Sequence, residues 1–400
     1  MSKGLPSVAI AGGGIGGLTT ALALADVGIE SIVLERYAEG PDVGAGIQLS
    51  PNATRILHRL GFESDLATIG RTPSTMLWLD GETDRCLARL PIREYVKAKY
   101  DAPYLQIYRP ELMRLLESKC LENNQIDLRK DTSVEDLQLN SNEATLKTSR
   151  GEVHADLCIG ADGTNSTIRK YTNDSLNERI YAGYAYRTVI PLAQLDENHT
   201  LDETTLWLNA AFHVVTYTVG EDSVLNCVFV VESERSATFE DLHRQRSSRS
   251  ELTNALPNPS PLVKTLLDRV QDEELYRWPL YQFPPIPVRR DPYHPVVLIG
   301  DAWHTTLPFA GQGAALSIED ASTLAECLSV SGSNSLVDRL THYENERISR
   351  VRRVQSISAR NRMVYHAKNP IFKLLRSWVA QIAYRRTTGQ LFLYEGTSHN

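Results

Sequence analysis

Two glycine-rich stretches hold most of the residues whose types and spacing suit chemistry. The first is Gly12-x-Gly14-x-x-Gly17 in A-G-G-G-I-G-G-L, and the second is G-D-A-W-H-T-T-L-P-F-A-G-Q-G at 300–313. In the first, Gly12 allows a tight turn, Gly14 lets backbone approach a pyrophosphate, and Gly17 lets a helix pack closely on a strand. Backbone N–H groups from Gly14 and Ile15 onward, at the positive end of a helix, suit phosphates. Glu35, followed by Arg36, stands where a carboxylate accepts hydrogen bonds from ribose hydroxyls. In the second stretch Asp301 ends an apolar run, and Gly311, Gln312 and Gly313 read as a helix opening.

Local elements must position these groups. S-V-A-I-A (7–11) reads as a strand, L-T-T-A-L-A-L-A-D as a helix that stops near Gly28, and S-I-V-L-E-R (31–36) as a second strand. Strand, turn, helix and strand within about thirty residues is the unit that a dinucleotide fingerprint needs. The motif does not separate FAD from NAD. Next comes G-A-G-I-Q-L-S-P-N (44–52), with Gly46 and Gln48, where Pro51 and Asn52 suit a helix start. Arg109 heads an amphipathic helix in I-Y-R-P-E-L-M-R-L-L and is free to reach a phosphate or a cofactor oxygen, although a surface arginine is the commoner role. L-C-I-G-A-D-G-T-N-S-T-I-R (157–169) is a strand stopping at Asp162-Gly163, which returns towards the first glycine turn.

Composition bounds the remaining choices. A chain of 400 residues with 42% hydrophobic residues predicts a sizeable core in one large or two closely joined domains. The net charge of −7 argues against nucleic acid or an anionic membrane as partner. Cys86, Cys120, Cys158, Cys227 and Cys327 are far apart with no CxxC pair, which fits scattered buried thiols in a reducing compartment rather than a disulfide framework or a metal site. Five glycines interrupt the N-terminal apolar run, so an unprocessed N-terminus and a cytoplasmic protein are expected. No run reaches the length of a membrane span.

G-G-G-I-G-G with Glu35-Arg36, then A-D-G-T-N-S-T-I-R, then G-D-A-W-H…P-F-A-G-Q-G-A resemble the three fingerprints of single-component FAD-dependent aromatic hydroxylases, in the same order along the whole chain. G-A-G-I-Q-L-S-P-N, R-W-P-L, I-E-D-A, Y-E-N-E-R, R-N-R-M-V-Y-H and L-F-L-Y-E are similar to the subgroup holding salicylate hydroxylase, 3-hydroxybenzoate 6-hydroxylase and 6-hydroxynicotinate 3-monooxygenase. The resemblance implies an α/β fold of the p-hydroxybenzoate hydroxylase type. A discontinuous Rossmann-type FAD domain (1–72, 100–180, 285–345) is then interrupted by a substrate-covering β-sheet (73–99, 181–284), with a helical segment at 346–400. Independently, 181–232 loses the helical period and alternates as strands. No second GxGxxG is present, which the resemblance explains by NADH or NADPH visiting as a transient co-substrate. It further implies that a phenolic or heteroaromatic ring is hydroxylated with O2 through a flavin C4a-hydroperoxide, with no metal. A reductase of the geranylgeranyl-reductase type and a non-catalytic FAD-binding protein are the competing readings.

The same resemblance gives Asp301 the ribityl hydroxyls and sets Pro308 beside the isoalloxazine, with the helix opening at 311–313 towards the flavin ring. Arg109, Asp162 and Gly46 join as cofactor contacts. His304 is expected to hold its loop by a hydrogen bond rather than to act as a base. His213 and Tyr217 alternate onto one face of a strand and are expected to meet substrate, with His213, or a relay through it, accepting a phenol proton. Gln48, Trp303 and Phe309 complete the expected substrate contacts. Trp303 and Phe309 replace residues that are smaller or more polar in relatives, which predicts a more apolar pocket for a larger phenol. Arg347, Arg350, Arg352 and Arg353 read as a solvated face. The amphipathic stretch 371–384 suits a membrane surface or a partner subunit, and the resemblance and acidic charge favour packing within the chain or in a homodimer.

Overall fold

The computed structural model describes residues 5–39, 46–140, 143–172, 180–195, 203–220, 224–232, 245–287, 295–329, 335–369, 386 and 388–394. A five-stranded parallel sheet runs in the order Val296–Leu298, Leu157–Gly160, Val8–Ala11, Ser31–Leu34, Ile126–Arg129. The strands Val8–Ala11, Leu157–Gly160 and Val296–Leu298 are short, mostly apolar runs buried along their length, as expected for a parallel sheet covered on both faces. Each of the three glycine or aspartate turns follows one of these strands, so the sheet delivers all three to the same edge. The helices Ile15–Asp26 and Gly313–Ser329 then pack against one another, with the Gly16 backbone lying where an added Cβ would be 3.2 Å from Ser317 Cβ.

An eight-stranded sheet forms the second layer, in the order Gln245–Arg246, Tyr276–Gln282, Ile180–Pro191, Val224–Glu232, Phe212–Val219, Glu203–Leu208, Thr75–Asp80, Cys86–Pro91. Residues 75–91 enter it by parallel pairing of Thr75–Asp80 with Glu203–Leu208. Alternation assigns its two faces. Phe212, Val214, Cys227 and Phe229 pack on the helices Arg249–Ala255 and Pro261–Arg269, while His213, Val215 and Tyr217 point the other way, towards the cofactor side. The small sheet Gly46–Leu49, Leu105–Tyr108, Gly70–Arg71 lies under that face, with Gly46 N donating to Asn226 Oδ1 at 2.7 Å.

The helix Leu336–Tyr365, opened by a capping box between Ser335 and Asp338, ties the layers together. Leu340 and Tyr343 enter the core of the parallel sheet, and Val351, Val354 and Ile357 pack on Ile92, Val96 and Tyr100. Its arginines correct one expectation. Arg352 and Arg353 are exposed, but Arg347 and Arg350 lie inside against acidic residues of Gly313–Ser329. Cys86 is exposed where a buried thiol was expected, and the other four cysteines are buried; all five are free. The stretch 371–384 lies outside the described residues. No helix among the described residues is long and apolar enough to cross a membrane.

Candidate functional site

The first turn has the form of a pyrophosphate cradle. Gly12 has φ +109°, and a Cβ there would lie 2.4 Å from Ala161 O. At Gly17 a Cβ would lie 1.9 Å from Gly12 O, so helix and strand touch through it. Gly14, by contrast, has nothing within 4 Å of its Cβ position, and it stands at the N-cap of Ile15–Asp26. Open space at a helix N-terminus with unpaired N–H groups is what a phosphate needs. Glu35 Oε2 accepts from Gly13 N at 2.7 Å and Oε1 from Tyr37 N at 3.0 Å, which fixes the carboxylate and leaves lone pairs for further donors. Arg36 is exposed beside it, 4.9 Å over the Tyr37 ring.

The other two turns are tied to each other. Asp162 Oδ2 accepts from Thr167 N at 2.6 Å and Ile168 N at 3.2 Å, while its buried Oδ1 meets no partner. Arg169 donates to Thr164 O at 2.5 Å and Ala302 O at 3.0 Å, and lies 4.4 Å over the Phe283 ring. Asp301 is exposed to solvent, with His304, Arg169 and Arg109 close enough to act on its charge. Desolvation lifts its carboxyl above the usual range, against the pull of His304, Arg169 and Arg109. Arg109 is drawn down by burial and by Arg187, and up by Asp301 and Glu35. A cradle open at Gly14, an orphaned Asp162 oxygen and a cation between Asp301 and Glu35 fit FAD. Arg109 and the N–H groups after Gly14 would hold its phosphates, and Glu35 and Asp301 its hydroxyls.

Pro308 opens a short 3-10 turn, Gly311 follows at φ +61° with Gln48 Oε1 3.2 Å from its Cβ position, and the helix starts at Gly313. The Gln312 side chain is used inside the protein, donating to Ser50 Oγ at 2.8 Å and accepting from Asn52 at 3.0 Å, so only its backbone is left for a cofactor. Behind this turn lies a buried ionic strut. Asp320 Oδ2 takes His304 Nε2 and Gly300 N, both at 2.8 Å, and Oδ1 takes Arg347 Nε at 2.7 Å. Burial opposes the charge on Asp320, but His304 and Arg347 outweigh it and hold the carboxyl at about 2. His304 is therefore a loop-holding residue, as the sequence suggested.

A second support was not foreseen. Gln355, Ser358 and Asn361, three residues apart along one helix face, donate to Phe283 O and Thr305 O (2.7 and 3.0 Å), Leu307 O (2.7 Å) and Phe309 O (2.9 Å). They fix the main chain that presents Pro308 and Phe309. The signal in the sequence was a polar stripe on an otherwise amphipathic helix.

Across from this loop, His213 is buried within three rings: Phe309 at 5.2 Å, Tyr365 at 5.3 Å and His366 at 5.1 Å between centroids. Its Nδ1 lies 3.0 Å from His366 Nε2. Phe309 and His213 are thus brought together. Tyr217 is buried four residues along the strand, its ring packed on Gly46, where a Cβ would lie 2.5 Å from Tyr217 Cε2. Gly46, expected at the cofactor, serves this close packing. Trp303 is the larger correction. It is wholly buried in the core of the parallel sheet, its Nε1 donating to Ile286 O at 2.8 Å and its ring 5.8 Å from Tyr343, so it is turned away from Phe309.

Sequence reasoning missed Arg187. It pairs across the sheet with Val228, which pairs with Val215, and all three are only half-buried at the centre of the covered face. Arg187 Nε is buried without a partner, and the guanidinium sits 5.6 Å over Trp278. Burial lowers its pKa from the ordinary value.

Residues 6–358 match the FAD binding domain family, and the chain belongs to it. It is an FAD-dependent monooxygenase of the aromatic hydroxylase type, with the p-hydroxybenzoate hydroxylase fold and with NAD(P)H as the co-substrate typical of that family. It is 30% identical over 365 residues to 3-hydroxybenzoate 6-hydroxylase 1 of Aquipseudomonas alcaligenes, covering 90% of each chain. Against 6-hydroxynicotinate 3-monooxygenase of Pseudomonas fluorescens the identity is 31%, covering 91% of this chain and 93% of the relative. The solved structure of Klebsiella pneumoniae HpxO with FAD and uric acid superposes with a TM-score of 0.79 at 22% identity, over 98% of this chain and 97% of that one.

Proposed function

We propose that this enzyme hydroxylates a phenolic or heteroaromatic ring that carries an anionic group, using O2 and NAD(P)H. The single observation that carries the anionic group is Arg187, half-buried on the covered face of the sheet, its Nε buried without a hydrogen-bond partner and no carboxylate paired with it among the described residues. A half-buried cation with an unsatisfied donor suits a counter-charge from a ligand. The named substrates of two relatives, 3-hydroxybenzoate and 6-hydroxynicotinate, each combine a ring hydroxyl with a carboxylate. Phe309, Val215 and Val228 supply apolar contact for the ring, and Gln48 borders the loop at Gly311.

FAD held by these residues would supply the redox chemistry between NAD(P)H, O2 and the ring. This chain orients the ring, excludes water with two packed layers, and handles the phenol proton at His213. Asp301, Glu35, Asp162, Arg109 and the helix N-termini at Gly14 and Gly313 hold the cofactor in this reading. In this reading the described residues of 73–99 and 181–284 make up the substrate-covering unit, those of 1–72, 100–180 and 285–345 the cofactor unit, and those of 346–400 a C-terminal helical segment. Five free thiols suit a cytoplasmic setting.

The test is oxidation of NADH and NADPH by the FAD-loaded protein with a panel of aromatic acids, neutral phenols, pyridinols and quinolones, under labelled oxygen. Anionic rings should stimulate oxidation and acquire label. Stimulation with peroxide as the sole oxygen product, or a clear preference for neutral rings, would overturn the proposal.

A further inference from the structure

The His213–His366 contact joins two buried imidazoles, 2% and 6% exposed, with Nδ1 of one 3.0 Å from Nε2 of the other. One of the two nitrogens must carry the proton between them. His213 Nδ1 is committed to this contact, so Nε2 is the nitrogen left for a substrate hydroxyl. A base at Nε2 requires the proton on Nδ1, and hence an acceptor at His366 Nε2. His366 is also the C-cap of the 30-residue helix Leu336–Tyr365, its N–H bonded to Arg362 O. The negative end of a helix dipole favours a cation there and offers His213, in mid-strand, nothing comparable.

We infer that His366 is the far end of a two-imidazole relay that draws the substrate's phenol proton away from His213. The phenol O–H breaks as the N–H forms at His213 Nε2, and the proton on His213 Nδ1 passes to His366 Nε2. The products are a phenolate, a neutral His213 in its other tautomer, and an imidazolium at His366. Atoms and charge balance, and no redox partner takes part. This rests on the proposed binding of a phenolic ring beside Phe309.

The surroundings suit the role. Facing His213 are His366, Tyr365 and Phe309, with Tyr217 two residues of the same face along the strand and Leu208 and Val230 as its cross-strand neighbours. Among the charges near the pair, Arg362, one turn before His366, is taken up by Glu232, leaving it to neither imidazole. Burial, and then the charge of His366, push His213 well below its ordinary value, so His213 is a poor place to keep a positive charge.

Two measurements on the FAD-loaded protein test the relay. The first is a nitrogen-detected NMR titration of the histidines without substrate, which reads the pair whether or not a phenol binds. The single proton should appear on His366, with His213 neutral throughout. A proton residing on His213, or no titration of either ring from pH 5 to 9, overturns the inference. The second is an ultraviolet titration of bound 3-hydroxybenzoate without NAD(P)H, compared with His366→Gln and His366→Leu. His366→Gln keeps a hydrogen-bonding side chain but cannot take the proton, so it should bind the probe with little change in Kd while the phenol's apparent pKa rises by about one unit, a tenfold change. An unchanged titration in both variants assigns His366 a packing role and overturns the relay. If the NMR result holds while no aromatic anion binds, the substrate proposal fails and the imidazole pair stands.

Discussion

Arg347→Met tests whether the ionic strut beneath the cofactor loop supports the fold. Arg347 has no exposure, and it lies 2.7 Å from Asp320 Oδ1 and 2.9 Å from Glu319 Oε2. Breaking a buried ion pair by removing one partner costs about 3–5 kcal/mol, because a charge is left uncompensated. Here the carboxylates keep other partners. Glu319 retains Arg350 at 2.6 Å and Asn52 at 2.6 Å, and Asp320 retains His304 and Gly300 N at 2.8 Å. The lower end of that range, about 3 kcal/mol, is therefore expected. At roughly 2 °C per kcal/mol for a chain of this size, Tm should fall by about 6 °C. The melt is read on the cofactor-free chain, so that FAD binding does not mask the loss. The pH dependence adds a sign. Asp320 is held at about 2, below its unfolded value, so its contribution is full above about pH 4 and is lost as pH falls towards 2. Without Arg347 the carboxyl rises towards its unfolded value, so the acid-linked loss below about pH 4 becomes smaller. A variant as stable as the parent, with an unchanged acid limb, would refute the reasoning and show that methionine packing replaces the network without cost.

Three further outcomes are expected. Gly14→Val should fold, since its Cβ position is clear of every atom within 4 Å, yet lose FAD affinity by more than tenfold, whereas Gly17→Val, whose Cβ would lie 1.9 Å from Gly12 O, should fail to yield folded protein; flavin fluorescence and circular dichroism separate the two. Trp303→Phe removes the bond to Ile286 O and leaves a void, costing about 1–3 kcal/mol in urea unfolding while leaving the ranking of aromatic substrates unchanged. A changed ranking would return Trp303 to the substrate pocket. Arg187→Gln should raise the Kd of aromatic acids by at least tenfold and leave neutral phenols within about twofold, since an ionised hydrogen bond contributes about 1.5–3 kcal/mol; equal losses for both classes would remove the anion site.

Local chemistry was legible in the residues alone. The strand, glycine turn and helix at 8–26, the proline-led helix at Pro51 and the strands around His213 and Tyr217 depend on backbone sterics and alternation within a few residues. The three fingerprints likewise lie on continuous stretches, and the parallel sheet brings them to one edge as expected. What the chain does with a side chain far from its partner was decided by tertiary packing. Arg347 and Arg352 share a helix and a residue type, yet one is sealed against Asp320 and the other is in water. Trp303 stands six residues from Phe309, but the turn between them sends one into the core and the other to His213. His366 gains meaning only from His213, 153 residues before it, and Arg187 only from the strand that pairs with its own. Such contacts follow from which faces meet, and one-dimensional periodicity carries the face without its partner. The opening at 300–313 therefore revealed a cofactor turn from its types and spacing, while the division of its aromatic residues between core and pocket belonged to the folded molecule.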